Sequence, residues 1–321
     1  MVIINHTNGF ILDNKNFINS TFYCICFSLC KIGVPLFLMI TGSLILDKSY
    51  SYKKILNCIF RVLVPVVGLS LIFYIKDFGI ENFNIALFIK DIINEPYTTE
   101  YWYIYALIGI YMTIPFLQKM VKSFENKDYI LFSILFLIIP SLIDSMKPYF
   151  NIDINYNLIT AFFPLIISLV VCGNYISKVQ LSKKFFIISI FTFLISYILM
   201  FSSMYIPYLK NSTISYALDS WNAFPVIIMS ISFFYIVRYL FENLSMHHKI
   251  NNIICIIAST TFGIYLIHNA LNYRLYKLNI TQSIFSYNSI LGSIFLNFLV
   301  FIICMIIIYL LKKIPVIRRF L

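Results

Sequence analysis

A chain of 321 residues that is 60% hydrophobic and 12% charged, with repeated apolar runs of membrane-crossing length, is not a soluble globular domain. No stretch between those runs is long enough for a separate soluble unit, so 1–321 is expected to form a single integral-membrane domain. The net charge of +11 at pH 7 is spread over short loops facing anionic headgroups, which excludes a nucleic-acid-binding surface.

In chain order, an apolar fragment comes first, Met1 to Leu12. It has no basic n-region and no small-residue cleavage site, so it is not read as a signal peptide. It resembles the end of a helix whose beginning is missing, and an in-frame extension of about 10 to 20 residues is expected upstream. Nine runs then read as full spans, at 22–46, 58–78, 102–120, 129–146, 158–178, 184–208, 217–242, 253–276 and 288–312. The expected fold is an all-α polytopic bundle of about nine transmembrane helices plus a partial first one.

Basic residues orient the spans, because short Lys/Arg-rich loops remain cytoplasmic. Alternate loops divide the 24 basic residues unequally. One set holds 16, including Lys48, Lys53, Lys54, Arg61, Lys119, Lys178, Arg238 and Arg319; the other holds seven, among them Lys15, Lys76 and Lys210. The C-terminus and the 47–57 loop are therefore expected in the cytoplasm. The long 79–101 connection lies on the opposite face and is acidic, with Glu81, Asp91, Glu95 and Glu100 against Lys90. It reads either as a lid or acceptor-binding element or as a solvated connection. Cys24, Cys26, Cys30, Cys58, Cys172, Cys255 and Cys304 fall in apolar runs without metal-ligand spacing, and read as small buried hydrophobes. His247 and His248 read as solvated loop residues.

His6 and His268 differ from those two, because an ionisable ring at membrane depth is a functional-site candidate. His268 lies roughly 15 residues into its span, about 22 Å along the axis, in the outer half. His6 precedes an outer loop, and Glu100 and Trp102 open the span 102–120 from the same side, so these residues sit at similar depth and can share a cavity, although depth alone does not make their helices neighbours. On the cytoplasmic side, Lys53, Lys54 and Arg61 gather at the start of 58–78, with Lys31 deeper, inside 22–46. A cationic mouth of this kind suits a phosphate-bearing donor.

These residues carry a resemblance. Lys31-Ile-Gly-Val-Pro-Leu-Phe-Leu-Met-Ile-Thr-Gly42 resembles the R/K-x-G-V-P-L-F-F-M-I-S-G segment of the membrane-bound acyltransferase family 3. Trp102-Tyr-Ile-Tyr-Ala-Leu-Ile-Gly-Ile-Tyr-Met-Thr-Ile-Pro115 is similar to its W-F-L-Y-A-L-I-G-x-Y-L-x-x-P segment, and Phe262-Gly-Ile-Tyr-Leu-Ile-His268 to its F-G-x-Y-L-x-H segment. The resemblance implies a ten-helix bundle that takes an acyl group, commonly acetyl from acetyl-CoA in the cytoplasm, and delivers it to a hydroxyl of a cell-surface or lipid-linked glycan. His6 matches the histidine of the family's first helix. The arginine that precedes that histidine by about ten residues in the family is absent here, and Glu100 stands where many relatives have histidine.

A sugar hydroxyl is a poor nucleophile, and a histidine is a suitable base to take its proton as it attacks the thioester. His6 is the expected base. His268 would orient the acceptor or donate to the tetrahedral oxyanion, Lys31 and Arg61, with Lys53 and Lys54, would hold the acyl-CoA, and Glu100 and Trp102 would contact the acceptor. No metal and no permanently bound cofactor is needed, and no G-x-S-x-G motif supports a serine route. Two other readings stand beside this one: an exporter of a surface polysaccharide or lipid-linked sugar, and an inactive truncated homologue. The low count of Gly (9) and Pro (10) speaks against broken helices of the transporter type.

Overall fold

The computed structural model describes residues 1–48, 50–150, 164–244 and 248–320. Among them the chain is helical without strands, and eight helices are long and apolar enough to cross a membrane. In lipid this outcome is forced, since every backbone N–H and C=O must find its partner within its own segment. The ninth expected run, 158–178, corresponds to the shorter helix Leu165–Lys178, and its first six residues lie outside the described ones. His247 also lies outside them, whereas His248 opens a helix.

The chain begins with α1 (Val2–Thr7), followed by a 3-10 stretch over Asn8–Asn14. Next come α2 (Phe17–Cys30) and α3 (Gly33–Ile45), which together form one span. The apolar run 22–46 is continuous in the sequence, whereas the helix breaks within it for a local cause. Pro35 has no N–H to give the Lys31 carbonyl, and its ring crowds that carbonyl, so the helix is interrupted at Lys31–Ile32 and resumes at Gly33. The remaining elements are α4 (Tyr52–Phe78), α5 (Ile85–Asn94), α6 (Trp102–Lys122), α7 (Asn126–Ser133) continuing through a π-helical turn into α8 (Ile139–Phe150), α9 (Leu165–Lys178), α10 (Lys183–Asn211), α11 (Phe224–Asn243), α12 (His248–Tyr276), α13 (Asn279–Tyr287), α14 (Ser289–Leu311) and the short α15 (Pro315–Arg318). Several starts carry the expected caps: Asn16 accepts from the Asn19 N–H, Ser182 from Phe185, and Asn288 from Ile290 and Leu291.

Most of the apolar surface faces outward. Only 17% of the apolar window of α10 and 22% of that of α4 is buried, which is the pattern of helices with lipid on one side and protein on the other. The same geometry corrects the reading of the cysteines. Cys24, Cys30, Cys172 and Cys304 are buried, but Cys255 is exposed, because an apolar run places residues on its lipid side as readily as in its core.

The centre of the bundle is the contact of α3 with α9. A Cβ built on Gly42 would stand 1.8 Å from the Val170 carbonyl oxygen, and one on Gly173 2.1 Å from that of Met39. The two backbones touch, as small residues permit between membrane helices. Leu38, Met39, Ile104, Leu107, Ile110, Leu169 and Val170 pack around this contact. Side-chain donors complete the helix ends nearby: buried Gln118 donates to the carbonyls of Ile45, at 3.0 Å, and Lys48, while half-buried Arg238 donates to those of Ile176 and Val179, the latter at 2.9 Å. Lys178 and Asp47 pair at 2.6 Å on the basic-loop side.

The 79–101 connection contains structure that its acidic composition conceals. Gly79 turns the chain with φ +80°, and α5 follows with Phe88 buried against Tyr74 while Ile85, Leu87 and Ile93 are exposed. Tyr97 donates to Asp77 at 2.6 Å, and Tyr105 to the Ile92 carbonyl at 2.7 Å. Burial and then the bond to Asp77 hold the Tyr97 phenol above its ordinary range. These ties lead the chain into Glu100 at a fixed depth.

Candidate active site

Although α1 has only six residues, it is pinned at several points. The Thr7 hydroxyl meets the Asn297 side chain on α14, Asn8 donates to the Tyr23 carbonyl at 3.1 Å, and Phe10 stacks on Tyr276 with ring centroids 4.0 Å apart. His6 is thereby held against α12, with its ring centroid 5.2 Å from that of His268. The two histidines, far apart in sequence, are neighbours.

His268 is fully buried. Its Nδ1 lies 2.7 Å from the carbonyl oxygen of Tyr265, and a carbonyl can only accept, so Nδ1 carries the proton. In the neutral ring Nε2 is then a bare acceptor, and among the described residues it has no hydrogen-bond partner. A buried lone pair without a donor is costly in a finished core and is what a proton-transfer site requires.

Two cavities meet at this pair. The first, about 380 Å³, is lined by His6 and Asn5 of α1, Lys31 at the helix break, Glu100, Trp102 and Tyr103, the loop residues Asp219, Ser220 and Trp221, and Tyr265. The second, about 320 Å³, is mostly apolar, with Leu36, Phe37, Ile40, Ile264 and Phe301 leading to His268. Leu36 and Ile40 lie beyond Lys31 toward the end of α3 that precedes Lys48, so the apolar cavity extends from the histidines toward the basic loops. The polar cavity is on the side where the acidic connection enters.

Reciprocal contacts set the depth of Glu100. Tyr101 donates to the Leu266 carbonyl at 2.9 Å, and Tyr265 donates to the carbonyl of Glu100. Glu100 is buried, 4% exposed as a residue, and its carboxylate receives the Thr99 hydroxyl at 3.2 Å. Trp102 stacks on Trp221, with centroids 5.8 Å apart at 27°. Lys31 approaches Asp219 at 3.9 Å and sits 4.1 Å from the Phe27 ring centroid.

The structure therefore groups His6, His268, Lys31, Glu100 and Trp102 and leaves Arg61, Lys53 and Lys54 elsewhere. Those three are exposed along the first turns of α4 and line neither cavity. Lys31, grouped with them in the sequence reading, lies instead beside Glu100 and Trp102, because the Pro35 break ends α2 at the polar cavity. Asp219 and Trp221 were absent from the expected site. The run 217–242 was read as helix from its start, whereas α11 begins at Phe224 and the preceding residues form a loop that dips into the cavity. Asp219-Ser220 ahead of Pro225 was the available signal of a late helix start, and the surrounding apolar residues outweighed it.

The fold and this cavity define a multi-pass helical membrane protein with a buried histidine site. The family model described as an acyltransferase domain, that of acyltransferase family 3, matches residues 1–311, and the chain belongs to that family. The protein is an acyltransferase. No curated protein and no solved structure matches it.

Proposed function

We propose that the protein moves an acyl group, acetyl in the simplest case, from cytoplasmic acyl-CoA to a hydroxyl of a cell-surface or lipid-linked glycan, and that it resides in the cell membrane with its C-terminus in the cytoplasm. The observation that carries this reading is the histidine pair standing between a polar cavity and an apolar one. The polar cavity offers a sugar its usual partners, an aromatic pair and carboxylates. The apolar cavity, on the basic-loop side, admits the acyl end of the thioester, while Arg61, Lys53 and Lys54 at that face attract the phosphates of the donor. Lys31 contributes charge within the polar cavity.

In the proposed reaction His6 takes the proton of the acceptor hydroxyl as its oxygen attacks the thioester carbonyl. The new C–O bond forms, the C–S bond breaks, and the proton passes from His6 to the departing thiolate. His268 acts as a positioning residue. Its Nδ1–H is committed to Tyr265, and in the proposed reaction the open Nε2 takes up the N–H of His6, whose ring centroid stands 5.2 Å away, as the acceptor arrives, turning the other His6 nitrogen, lone pair forward, to the hydroxyl. The neutral His268 has no N–H left for an oxyanion. This geometry favours orientation of His6 over the alternative of oxyanion donation.

The sidedness has its own test. In a background without native cysteines, cysteine at Asn84 should react with a membrane-impermeant thiol reagent added outside intact cells, and cysteine at Ser51 should react only after permeabilisation. The reverse pattern would place donor and acceptor cavities on the wrong sides and remove this function.

A further inference from the structure

We propose that the acceptor carries a protonated amine beside the hydroxyl that is acylated, and that Glu100 holds this ammonium. The inference rests on the proposed acyl transfer and adds the charge class of the acceptor. Among the described residues, three formally charged side chains line the polar cavity: Lys31, Glu100 and Asp219. Lys31 faces Asp219 at 3.9 Å and the Phe27 ring at 4.1 Å, which leaves one carboxylate in excess. Among the described residues Glu100 has no cation within ion-pair distance, and the hydrogen bond to its carboxylate comes from Thr99, a neutral hydroxyl. Removing a carboxylate from water without a cation is costly, and Glu100, 4% exposed as a residue, lines an open cavity. Asn5, also lining that cavity, has its Oδ1 buried without a donor among the described residues. The polar cavity thus presents a carboxylate without a cation and an amide oxygen without a donor, and an ammonium brings three N–H groups and the missing charge. The aromatic walls, Trp102, Trp221, Tyr103 and Tyr265, suit the same ligand, since ring faces attract cations and cover the C–H face of a sugar.

Pairing with Glu100 also decides which group reacts. An ammonium stabilised by a carboxylate keeps its proton and has no lone pair, so it cannot attack. The neighbouring hydroxyl, within reach of His6, forms the ester, and the amine stays free.

The test uses the full-length protein in nanodiscs with radiolabelled acetyl-CoA and two acceptors, octyl glucosaminide and octyl N-acetylglucosaminide. The wild type should show a KM about tenfold or more lower for the free amine, the scale of a charge-assisted hydrogen bond, and should yield an alkali-labile ester. Glu100→Gln should erase that preference by raising the KM for the free amine about tenfold, to that for the N-acetyl acceptor. An equal or lower KM for the N-acetyl acceptor, an amide product, or a Glu100→Gln variant that lowers kcat equally for both acceptors would overturn the inference; the last outcome would make Glu100 a positioning residue for His6. Transfer to the N-acetyl acceptor alone would leave the proposed function standing and this inference refuted, whereas no transfer to either acceptor would refute both.

Discussion

Replacing His6 with alanine is expected to lower acyl transfer by about 100-fold or more, the usual scale for losing a positioned general base. The protein should still insert, because the ring contributes little to the α1 anchors, which are carried by Thr7, Asn8 and Phe10. His268→Ala should fall by a similar factor for a different reason. Without the Nε2 acceptor held by the Tyr265 carbonyl, His6 samples orientations in which its lone pair misses the hydroxyl, so kcat falls while acceptor KM holds. Purified variants compared at saturating and limiting acceptor would separate the two effects. Wild-type rates in both would end the assignment.

The largest structural effect is expected at the contact between α3 and α9. Gly42→Ala places a methyl 1.8 Å from the Val170 carbonyl oxygen, and Gly173→Ala one at 2.1 Å from the Met39 carbonyl oxygen. Neither obstacle is a side chain that can rotate away. The helices must separate, losing contacts along their length at a cost of about 1 to 3 kcal/mol or more. Because α3 begins just beyond the break that positions Lys31, activity should fall along with stability. Gly109→Ala on α6 is the control: nothing lies within 4 Å of its added Cβ, so the same change there should be neutral or mildly stabilising. Thermal unfolding in detergent would show the contrast, and equal melting temperatures for Gly42→Ala and Gly109→Ala would contradict the tight crossing.

The membrane helices were legible because lipid imposes one rule on every span. A run such as Ser289–Leu311 needs no partner to be recognised. Interruptions were less visible. Gly33 and Pro35 sat inside an unbroken apolar run, and the consequence of Pro35 for the carbonyl four residues earlier emerges only once the helix is built. The histidines announced themselves by their burial cost, and shared depth allowed a cavity in common with Glu100 and Trp102 without fixing which helices are neighbours. Lys31 was placed by its depth along a straight helix and so was grouped with the wrong cations. Asp219 and Trp221 were missed because a hydropathy window averages over a loop entry. Contacts such as Tyr101 with Leu266 and Tyr265 with Glu100 join positions about 165 residues apart, a relation that neither periodicity nor spacing encodes.

The central claim is that the histidine pair moves an acyl group across the membrane from a cytoplasmic thioester to an outer hydroxyl. Its most direct test is the purified protein reconstituted in sealed vesicles, oriented with the basic loops inward, with radiolabelled acetyl-CoA enclosed and a glycan acceptor outside. The account predicts label on the external acceptor, dependent on His6 and His268, while the acetyl-CoA itself stays within. Export of an enclosed glycan without consumption of acetyl-CoA, or label transfer that persists in His6→Ala, would contradict it.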